Sequence, residues 1–412
     1  MAWLRAAATV WRRLLTRTTF VAVGGSVGKS TTKEVLAAIL SAHASTAKSR
    51  GNANSLASGN LSRTLLQVRP WHRYAVVEIG IGAPGQMAPS ARLVRPDVVV
   101  MLAVKRCHTN ELQDVDGVAR EKAALVRALP PDGVAVLNGD DPRVAAMAAG
   151  GRLRALRFGT DPACDLWADE VSAQWPDRLS FRVHADGQSH PVRTRFAGTH
   201  WLTAFLAAFT AARACGVPLA EAAARAEAVE PVWARTQPIT LPNGATVIRD
   251  DFNGSIDTFE PALRLLGEAR ARRRILVASD YSDSNRSPRQ RARRLGQEAA
   301  RLADVAVFVG ERAERGVKGA VDEGMAPANA HAFHHLAEAT GFLRRELGEG
   351  DLVLIKGQGN HHLSRIYLGL IGEVTCRRTS CPKTILCDRC DELGLRWTPA
   401  RRELMAPPDS RL

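Results

Sequence analysis

The sequence predicts an α/β protein with two consecutive domains, each built on a mostly parallel sheet, and a small cysteine-rich tail. Three observations support this fold class. Short β-rich runs alternate with helical stretches in two blocks, a glycine-rich loop joins the first run to a helix, and four cysteines follow the point where periodicity stops. Alternating strands and helices favour a parallel sheet covered on both faces. The predicted boundaries are 1–17 for an N-terminal helix, 18–232 and 233–372 for the domains, and 373–412 for the tail.

The composition is that of a globular protein. The chain has 412 residues with 45% hydrophobic content, which is enough for packed cores and excludes disordered and fibrous classes. It contains neither the run of roughly 18 apolar residues that a membrane span needs nor a signal peptide, so we expect a cytoplasmic protein. The 56 basic and 42 acidic residues give a net charge of +14, which favours phosphate-rich ligands, nucleic acid or anionic membrane surfaces.

The first 17 residues predict an amphipathic helix. Apolar residues recur at helical spacing, and four arginines but no acidic residue accompany them; the apolar positions are Trp3, Ala7, Val10, Trp11 and Leu14. We expect this helix to pack as a lid on the domain that follows. The alternative is that it lies on a membrane surface.

The elements of both domains follow from the same periodicity. In the first domain, strands are predicted at 19–23, 74–79, 97–103 and 134–137, helices at 31–42, 115–128 and 200–215, and weaker, more polar strands between 165 and 195. In the second domain, strands are predicted at 246–249, 274–278, 305–309 and 352–355 with helices between them. The Arg-rich stretches at 270–274 and 291–294 are interpreted as solvated helix faces.

The glycine-rich loop carries the clearest chemical signal. Residues 24–31 read Gly-Gly-Ser-Val-Gly-Lys-Ser-Thr and stand directly after a strand and before a helix. Backbone N–H groups at Gly25, Ser26 and Gly28 can approach phosphate oxygens, the helix N-terminus adds a positive dipole, Lys29 can reach the terminal phosphates and the Ser30 hydroxyl can bind Mg²⁺. The pattern therefore predicts a nucleotide-binding loop.

Two further residue types bear on a metal site. Glu78 ends the second strand, at the sheet edge where ligands of parallel sheets bind, and its carboxylate suits Mg²⁺; the alternative is a strand-end charge that faces solvent. Lysine is rare, with only 8 of the 56 basic residues, so a lysine near such a site is informative because arginine cannot replace its compact amine.

Several motifs together resemble the Mur ligases over residues 18–372. Besides the loop, the chain carries Gly51-Asn52-Ala53-Asn54, Val77-Glu78-Ile79-Gly80, Arg95-Pro96-Asp97, His108 ten residues before Val118-Ala119, Asn138-Gly139-Asp140-Asp141, Gly198-Thr199-His200, Asp250-Asp251-Phe252-Asn253 and Lys356-Gly357. The resemblance implies an ATP-binding central domain, a Rossmann-like C-terminal domain and amide-bond formation through an acyl phosphate.

The resemblance also implies roles for single residues. Lys29, Ser30 and Thr31 would hold the ATP phosphates and a first Mg²⁺, which Glu78 completes. His108 matches a ligand of a second Mg²⁺, and Lys122 matches a lysine that many members carbamylate. Three residues match positions that contact the nucleotide: Asn138, Arg235 and Asp250. Lys356 matches a lysine of the second domain near the reacting groups.

The chain departs from the family pattern in places that bear on substrates. Family members that act on muramyl precursors carry a UDP-binding domain before the loop, which we expect to be missing because the loop begins here at Gly24. Ala204, Phe252 and Ile256 stand where Asn, Tyr and Pro are usual, and Gln358 stands where Ser is common. His361 and His362 are either part of a rewritten substrate site or surface residues.

The tail predicts a structural metal site. Cys376, Cys381, Cys387 and Cys390 lie within 15 residues, and four thiolates can surround one tetrahedral Zn²⁺. An iron–sulfur cluster or reactive thiols remain alternatives. The tail is also a candidate docking site for a protein partner or carrier.

The sequence therefore predicts an ATP- and Mg²⁺-dependent ligase that joins a small-molecule carboxylate to the amine of an amino acid or peptide, in peptidoglycan-like or specialised-metabolite assembly. One alternative is a polyglutamate-type ligase of the same superfamily. Another is a nucleotide-binding scaffold protein with reduced catalysis. Nucleic-acid binding is disfavoured, because the tail lacks an uninterrupted recognition helix: Pro399 divides the candidate stretch.

Overall fold

The computed structural model describes residues 1–105, 114–149, 153–282, 284–378, 381–383 and 387–396. The chain divides into two compact units. The first contains residues 1–172, 178–195 and 199–230, and the second contains 173–177, 196–198 and the residues from 231 onward. No described helix is both long enough and apolar enough to cross a bilayer.

The first unit is built on a nine-stranded sheet with the order β2-β3-β1-β4-β5-β6-β7-β8-β9. Strands β1 to β7 pair in parallel, and β7, β8 and β9 pair antiparallel. The strands are β1 (Thr19–Gly24), β2 (Thr46–Lys48), β3 (Tyr74–Glu78), β4 (Val98–Met101), β5 (Val134–Asn138), β6 (Arg154–Gly159), β7 (Leu166–Ser172), β8 (Ser180–Ala185) and β9 (Gln188–Arg193).

Helices cover this sheet because its central strands are apolar on both faces. Strands β1, β3, β4 and β5 are almost entirely buried. The helices are α1 (Ala2–Leu14), α2 (Lys29–His43), α3 (Asn60–Gln67), α4 (Met87–Val94), α5 (Val115–Val126), α6 (Pro142–Ala145), α7 (Leu202–Ala214) and α8 (Leu219–Arg225). Helix α7 packs on α2 and on the central strands, while α1 packs on α3 and α4.

The second unit has a six-stranded sheet with the order β10-β11-β15-β12-β13-β14, in which only β10 runs antiparallel. Its strands are β10 (Gln237–Thr240), β11 (Thr246–Asp250), β12 (Arg273–Ala278), β13 (Val305–Val309), β14 (Ala330–Phe333) and β15 (Asp351–Lys356). Its helices are α9 (Ile256–Gly267), α10 (Pro288–Leu302), α11 (Ala313–Asp322), α12 (Leu336–Glu346) and α13 (Ser364–Ile371).

The tail joins the second unit. Strand β16 (Glu373–Val374) pairs with β17 (Leu395–Arg396), and two short 3-10 turns, Cys387–Arg389 and Asp391–Leu393, lie between them. Cys387 and Leu393 are buried in the same hydrophobic cluster as Ile366 and Tyr367 of α13. The tail is therefore part of this core over its described residues.

The predicted fold class is confirmed, because both sheets are mostly parallel and helices connect their strands. The predicted strands at 19–23, 134–137 and 305–309 agree with the structure to within one residue. The sequence reading did not identify the short β2, the edge strand β10 or the helices α3 and α4. These elements have at most eight residues, which is too short for periodicity to reveal.

Candidate active site

The glycine-rich loop joins β1 to α2 and rests on the end of β4. Ser26 N donates to Ala103 O at 2.7 Å. Gly25 has φ +145°, and a Cβ on it would lie 2.9 Å from Leu102 Cβ. Gly28 has φ +82°. These two positions therefore require glycine, the first for space as well as for conformation.

Two lysines donate to one carbonyl of this loop. Lys29 Nζ lies 2.9 Å from Gly25 O and 3.1 Å from Ser26 O. Lys122, buried on α5, places its Nζ 3.0 Å from the same Gly25 oxygen. The fold thus brings together two of the predicted site residues that are 93 positions apart in the sequence.

Glu78 lies buried at the carboxyl end of β3, beside the strand that leads into the loop. Its Oε1 accepts a hydrogen bond from Asn54 Nδ2 at 2.7 Å. Its Oε2 lies 3.9 Å from Lys33 Nζ and has no hydrogen-bond partner among the described residues. The carboxylate is therefore held in position through Oε1, while Oε2 accepts no hydrogen bond in the described structure.

The environment of Glu78 includes residues for which the sequence reading assigned no role. Lys33 is completely buried on α2, 2.9 Å from Glu34 Oε1, and donates to Gly51 O. A Cβ on Gly80 would lie 2.8 Å from Asn54 Cγ, so the glycine after β3 gives Asn54 room to reach the carboxylate. Lysine is rare in this chain, and Lys33 lies four residues after Lys29, on the same face of the helix. These two facts could have identified Lys33 as a site residue.

The donor set near the loop suits Mg²⁺. Glu78 Oε2 is a hard oxygen donor, and like Thr31 Oγ1 and Thr32 Oγ1 it is buried without a hydrogen-bond partner in the described structure. Ser30 is buried at the start of α2. His108, the predicted ligand of a second Mg²⁺, lies outside the described residues.

Asn138 ends β5 in the first unit, where it is buried and its Oδ1 accepts from Asp140 N at 3.0 Å. Its amide therefore shapes the turn that follows the strand. The predicted contact of Asn138 with the nucleotide stays a prediction.

The predicted residues of the second unit gather where β11 and β15 end. Lys356 Nζ is fully buried and lies 2.7 Å from Asp250 Oδ2, 2.6 Å from Asn253 O and 3.1 Å from Thr258 Oγ1. Burial lowers the pKa of Lys356 below its usual value, although Asp250 acts to raise it. Lys356 thus ties the two strand ends together.

Arg235 lies over the ring of Phe252, with its guanidinium carbon 4.5 Å from the ring centroid. Phe252 follows Asp250 and Asp251 at the end of β11. Arg235 and Asp250 therefore both lie near this loop, and their predicted contacts with the nucleotide stay predictions.

A cavity of about 1110 Å³ lies within the second unit at the carboxyl ends of β12, β13 and β14. Its lining includes Asp280, Arg312, His334, His335 and His361. His361 Nδ1 lies 2.8 Å from Ser279 Oγ, and burial lowers the pKa of His361 despite the opposing effect of Asp280. Crevices at this edge of parallel sheets are the usual ligand sites of such folds.

The tail contributes Thr375, Cys376, Arg377, Arg378 and Cys381 to the wall of this cavity. The sequence reading did not connect the tail with a substrate site, because only the fold shows that residues after 372 return to the sheet edge.

The thiols of three tail cysteines make separate polar contacts. Cys387 Sγ lies 3.5 Å from His362 Nδ1, Arg365 Nη1 lies 3.7 Å from Cys376 Sγ, and Lys383 Nζ lies 3.6 Å from Cys390 Sγ. Burial raises the pKa of the Cys387 thiol to about 11. Within the described ranges, no three His, Cys, Asp or Glu side chains form a group that could hold a metal ion.

Comparisons with known proteins match both units. The Mur ligase middle domain matches residues 23–212, and the Mur ligase glutamate ligase domain matches residues 234–359. The UDP-N-acetylmuramoyl-tripeptide--D-alanyl-D-alanine ligase of Mycobacterium tuberculosis (strain ATCC 25618 / H37Rv) is 31% identical over 382 residues, covering 87% of this chain and 74% of that protein. The ligase of the same name from Mycobacterium leprae (strain TN) is 28% identical over 388 residues with the same coverage.

Solved structures give the same likeness. A crystal structure of MurF from Acinetobacter baumannii has a TM-score of 0.81 at 28% identity and covers 89% of this chain and 79% of that one. MurF from Thermotoga maritima, solved in complex with ADP, has a TM-score of 0.76 and covers 89% and 83%. At 20% identity, this second likeness shows the fold alone.

Proposed function

This chain belongs to the Mur ligase family, and we propose that it joins the carboxylate of a muramyl-peptide precursor to the amine of a dipeptide of the D-alanyl-D-alanine type. The family membership makes it an ATP-dependent ligase that forms amide bonds in peptidoglycan biosynthesis. The names of its relatives support the choice of substrates. Because the reaction consumes ATP, we assign it to the cytoplasm.

The observation that carries the activity is the convergence of Lys29 and Lys122 on Gly25 O, in a loop at the N-terminus of a 15-residue helix. When phosphate enters, the ammonium group of Lys29 can exchange this carbonyl for phosphate oxygens. Together with the dipole of α2, it would stabilise the charge that develops on the transferring phosphoryl group.

The proposed reaction has two steps. A carboxylate oxygen of the first substrate attacks the γ-phosphorus of ATP, and ADP leaves, which gives an acyl phosphate. The amine nitrogen of the second substrate then attacks the carbonyl carbon, inorganic phosphate leaves with the bonding electrons and the nitrogen loses one proton. Water must be excluded between the steps, because it would hydrolyse the acyl phosphate.

Mg²⁺ would be held by Glu78 and Ser30, and it would neutralise phosphate charge when bound. We also propose that His108 and a carbamylated Lys122 hold a second ion. Supporting this, Lys122 is buried, lies at the loop and is one of only 8 lysines. Carbamylation would replace its cation with anionic oxygen donors, which suits the site only if a metal ion is present.

Substitution of Lys122 tests the carbamate. We expect Lys122→Ala to lower turnover by about 100-fold, with partial recovery on addition of acetate or formate, whose oxygens can take the place of the carbamate. Lys122→Arg is the matched control, since it keeps the positive charge but cannot be carbamylated. Activity of the arginine variant close to that of the wild type would rule the carbamate out, and phosphate release measures each case.

We propose that the cavity of the second unit receives the amine substrate. Its wall combines Arg312 and three histidines with Asp280. The guanidinium group of Arg312 suits the terminal carboxylate of a dipeptide, while the carboxylate of Asp280, which also pairs with Arg291, suits its ammonium group. The tail residues in the wall lie beyond residue 359, where the match to the glutamate ligase domain ends.

For the tail, we propose a structural Zn²⁺ bound by Cys376, Cys381, Cys387 and Cys390, and a role in docking a protein partner or carrier. The spacing of the thiols supports the metal. Elemental analysis of the purified protein tests it. One zinc per chain, lost in Cys387→Ser but kept in Cys164→Ser, is the expected result, and the absence of bound metal from freshly purified protein would reject it.

The function is tested with purified protein, ATP and Mg²⁺. UDP-muramoyl tripeptide together with D-alanyl-D-alanine should release phosphate and give a product one water lighter than the sum of the two substrates. Lys29→Ala should abolish this release, whereas Lys318→Ala on α11 is a control for the loss of one lysine. Tight ATP binding without turnover across muramyl peptides, amino acids and dipeptides would instead favour a nucleotide-binding scaffold.

A further inference from the structure

The outward face of α1 is apolar. Trp3, Val10 and Leu14 are 73%, 59% and 66% exposed, and they are spaced by seven and four residues, which places them on one side of the helix. Ala6 and Ala7, also exposed, lie between them in the sequence. A helix that packs on a domain normally turns such a stripe inward, so this face calls for an explanation.

A second exposed tryptophan lies beside the end of this helix. Trp71 is 70% exposed, in the loop that connects α3 to β3. Hydrogen bonds from Trp11 Nε1 to Val68 O at 2.9 Å and from Thr18 Oγ1 to His72 O at 2.7 Å hold this loop against the end of α1. Together with Met1, the residues of these two segments include every large hydrophobic side chain that is exposed in the described parts of the chain.

Arginines surround the apolar stripe without acidic partners. Six exposed arginines belong to α1, to the turn between α1 and β1, to α3 and to the loop between α3 and β3: Arg5, Arg13, Arg17, Arg63, Arg69 and Arg73. None of them forms an ion pair within the described structure. Residues 1–77 contain 11 lysines and arginines but a single acidic residue, Glu34. This segment therefore carries most of the chain's excess positive charge.

The inward face of α1 is fixed to the unit by polar contacts. Arg12 is buried, donates to Val94 O at 2.7 Å and stacks on the ring of Phe20 at 3.7 Å. Burial lowers the pKa of Arg12 to about 10, although the nearby Asp97 acts to raise it. The helix thus buries the Arg12 cation and exposes Trp3. Because the buried side is held in this way, the apolar stripe faces away from the unit.

We propose that α1 and the loop at 68–73 form a docking surface for an anionic phospholipid bilayer. Exposed tryptophans settle at the interface between headgroups and acyl chains, and unpaired arginines bind lipid phosphates. Exposures of 59% to 73% mean that these side chains stand out from the surface rather than line a groove, as a bilayer requires and a protein pocket does not. This inference does not depend on the proposed substrates.

The test is co-sedimentation of the full chain with vesicles of phosphatidylcholine alone or with 30 mol% phosphatidylglycerol, at low and high salt. We expect binding to the anionic vesicles that weakens at least about tenfold at high salt, because the arginines are screened. Brominated acyl chains should quench tryptophan fluorescence only where side chains enter the bilayer.

Two variants separate insertion from charge. Trp3→Ser with Trp71→Ser should lose the quenching and weaken binding by about tenfold or more, since two of the apolar anchors are gone. Arg5→Gln, Arg13→Gln and Arg17→Gln together should weaken binding to a similar extent. The matched control is Arg154→Gln, Arg157→Gln and Arg193→Gln, which removes the same charge from exposed positions on β6 and β9.

Equal loss of binding in the control would show that only net charge matters and would overturn the proposal. So would the absence of binding to anionic vesicles. If light scattering shows an oligomer that Trp3→Ser dissociates, without lipid binding, a second copy covers the stripe instead of a bilayer. None of these residues belongs to the proposed catalytic machinery, so ligase turnover should be unchanged in every variant.

Discussion

Glu78 shows at the residue scale why a buried carboxylate indicates a missing ligand. One of its oxygens accepts from Asn54, and the other has no hydrogen-bond partner in the described structure. A buried carboxylate oxygen without a partner is unfavourable by roughly 1 to 3 kcal/mol, so folded proteins rarely keep one without a reason. The ammonium group of Lys33, 3.9 Å away, offsets part of this cost, and the proposed Mg²⁺ would offset the rest.

Replacement of Glu78 by Gln keeps the size of the side chain and removes its charge. We expect turnover to fall by about 100-fold and the Mg²⁺ concentration for half-maximal activity to rise, because an amide oxygen is a weaker metal ligand. Phosphate release across a magnesium titration measures both effects. Asp132→Asn, at an exposed position, is the control, and a Glu78→Gln enzyme with normal magnesium dependence would contradict the assignment.

At this scale, the sequence alone singled out three residues that the fold places at or near the glycine-rich loop. Lys29, Glu78 and Lys122 carry recognisable patterns, and the structure places two of them on one carbonyl. The contacts of Lys33 and Asn54 with Glu78 could not be predicted, although the spacing of Lys33 from Lys29 marks it as a candidate site residue. Both residues act on Glu78 from α2 and from the segment before α3, and only tertiary packing brings those segments to the end of β3.

At the scale of elements, the loop between β1 and α2 depends on Gly25. We expect Gly25→Ala to abolish turnover, because its Cβ would clash with Leu102 and displace the backbone N–H groups that face the phosphates. Gly216→Ala is the matched control: it has a positive φ of +90° but open space around it. We expect that control to be destabilised by about 1 kcal/mol and to keep its turnover, with urea unfolding and phosphate release as readouts.

The tail is held by a buried ion pair. Arg249 on β11 lies 2.6 Å from Asp388 Oδ1 and 3.0 Å from Asp251 Oδ2, and all three side chains are buried. Burial by itself lowers the pKa of Arg249, and the two carboxylates more than reverse this, so that the arginine stays charged. The tail thereby supplies the second of the two carboxylates that hold Arg249 in the core.

Asp388→Asn should destabilise the second unit by about 1 to 3 kcal/mol and expose the tail to protease, since it weakens two charge-assisted hydrogen bonds that Arg249 donates to the carboxylate. Asp177→Asn is the control, because its pair with Arg270 is more than 60% exposed on both sides and should contribute less than about 1 kcal/mol. Equal protease resistance in both variants would show that the ion pair does not hold the tail.

Element boundaries followed from the sequence where strands are apolar and helices long. Strands β1, β5 and β13 were predictable because uninterrupted apolar runs mark buried parallel strands. Strand β10 was not, because it is an edge strand with a proline and little burial. The return of the tail to the second unit was also hidden, since its contacts join residues far apart in the sequence, among them the Arg249–Asp388 pair with a separation of 139.

At the scale of the whole molecule, burial raises the pKa of all three tyrosines, Tyr74, Tyr281 and Tyr367, the last to about 12. The folded state therefore disfavours the ionised phenol relative to the unfolded state, in which the pKa is about 10. Their contribution to stability is complete below pH 10 and is lost as the pH rises from 10 towards 12.

We expect the urea midpoint of the wild type to fall between pH 9 and pH 11, and the midpoint of Tyr367→Phe to fall less. Other groups titrate in both proteins, so the difference isolates Tyr367. Absorbance of the phenolate should show the same delay in the folded protein. A midpoint that falls equally in both would exclude Tyr367 from the alkaline loss of stability.

The distribution of lysine has a consequence for chemical labelling. Lys33, Lys122 and Lys356 are buried, Lys29 folds back over its loop, and arginine supplies nearly all of the remaining positive charge. An amine-specific reagent therefore finds few targets on this protein despite its net charge of +14. Among these four lysines, Lys29 is the most accessible. Acylation of its amine, located by peptide mapping, should therefore fall when a nucleotide fills the loop.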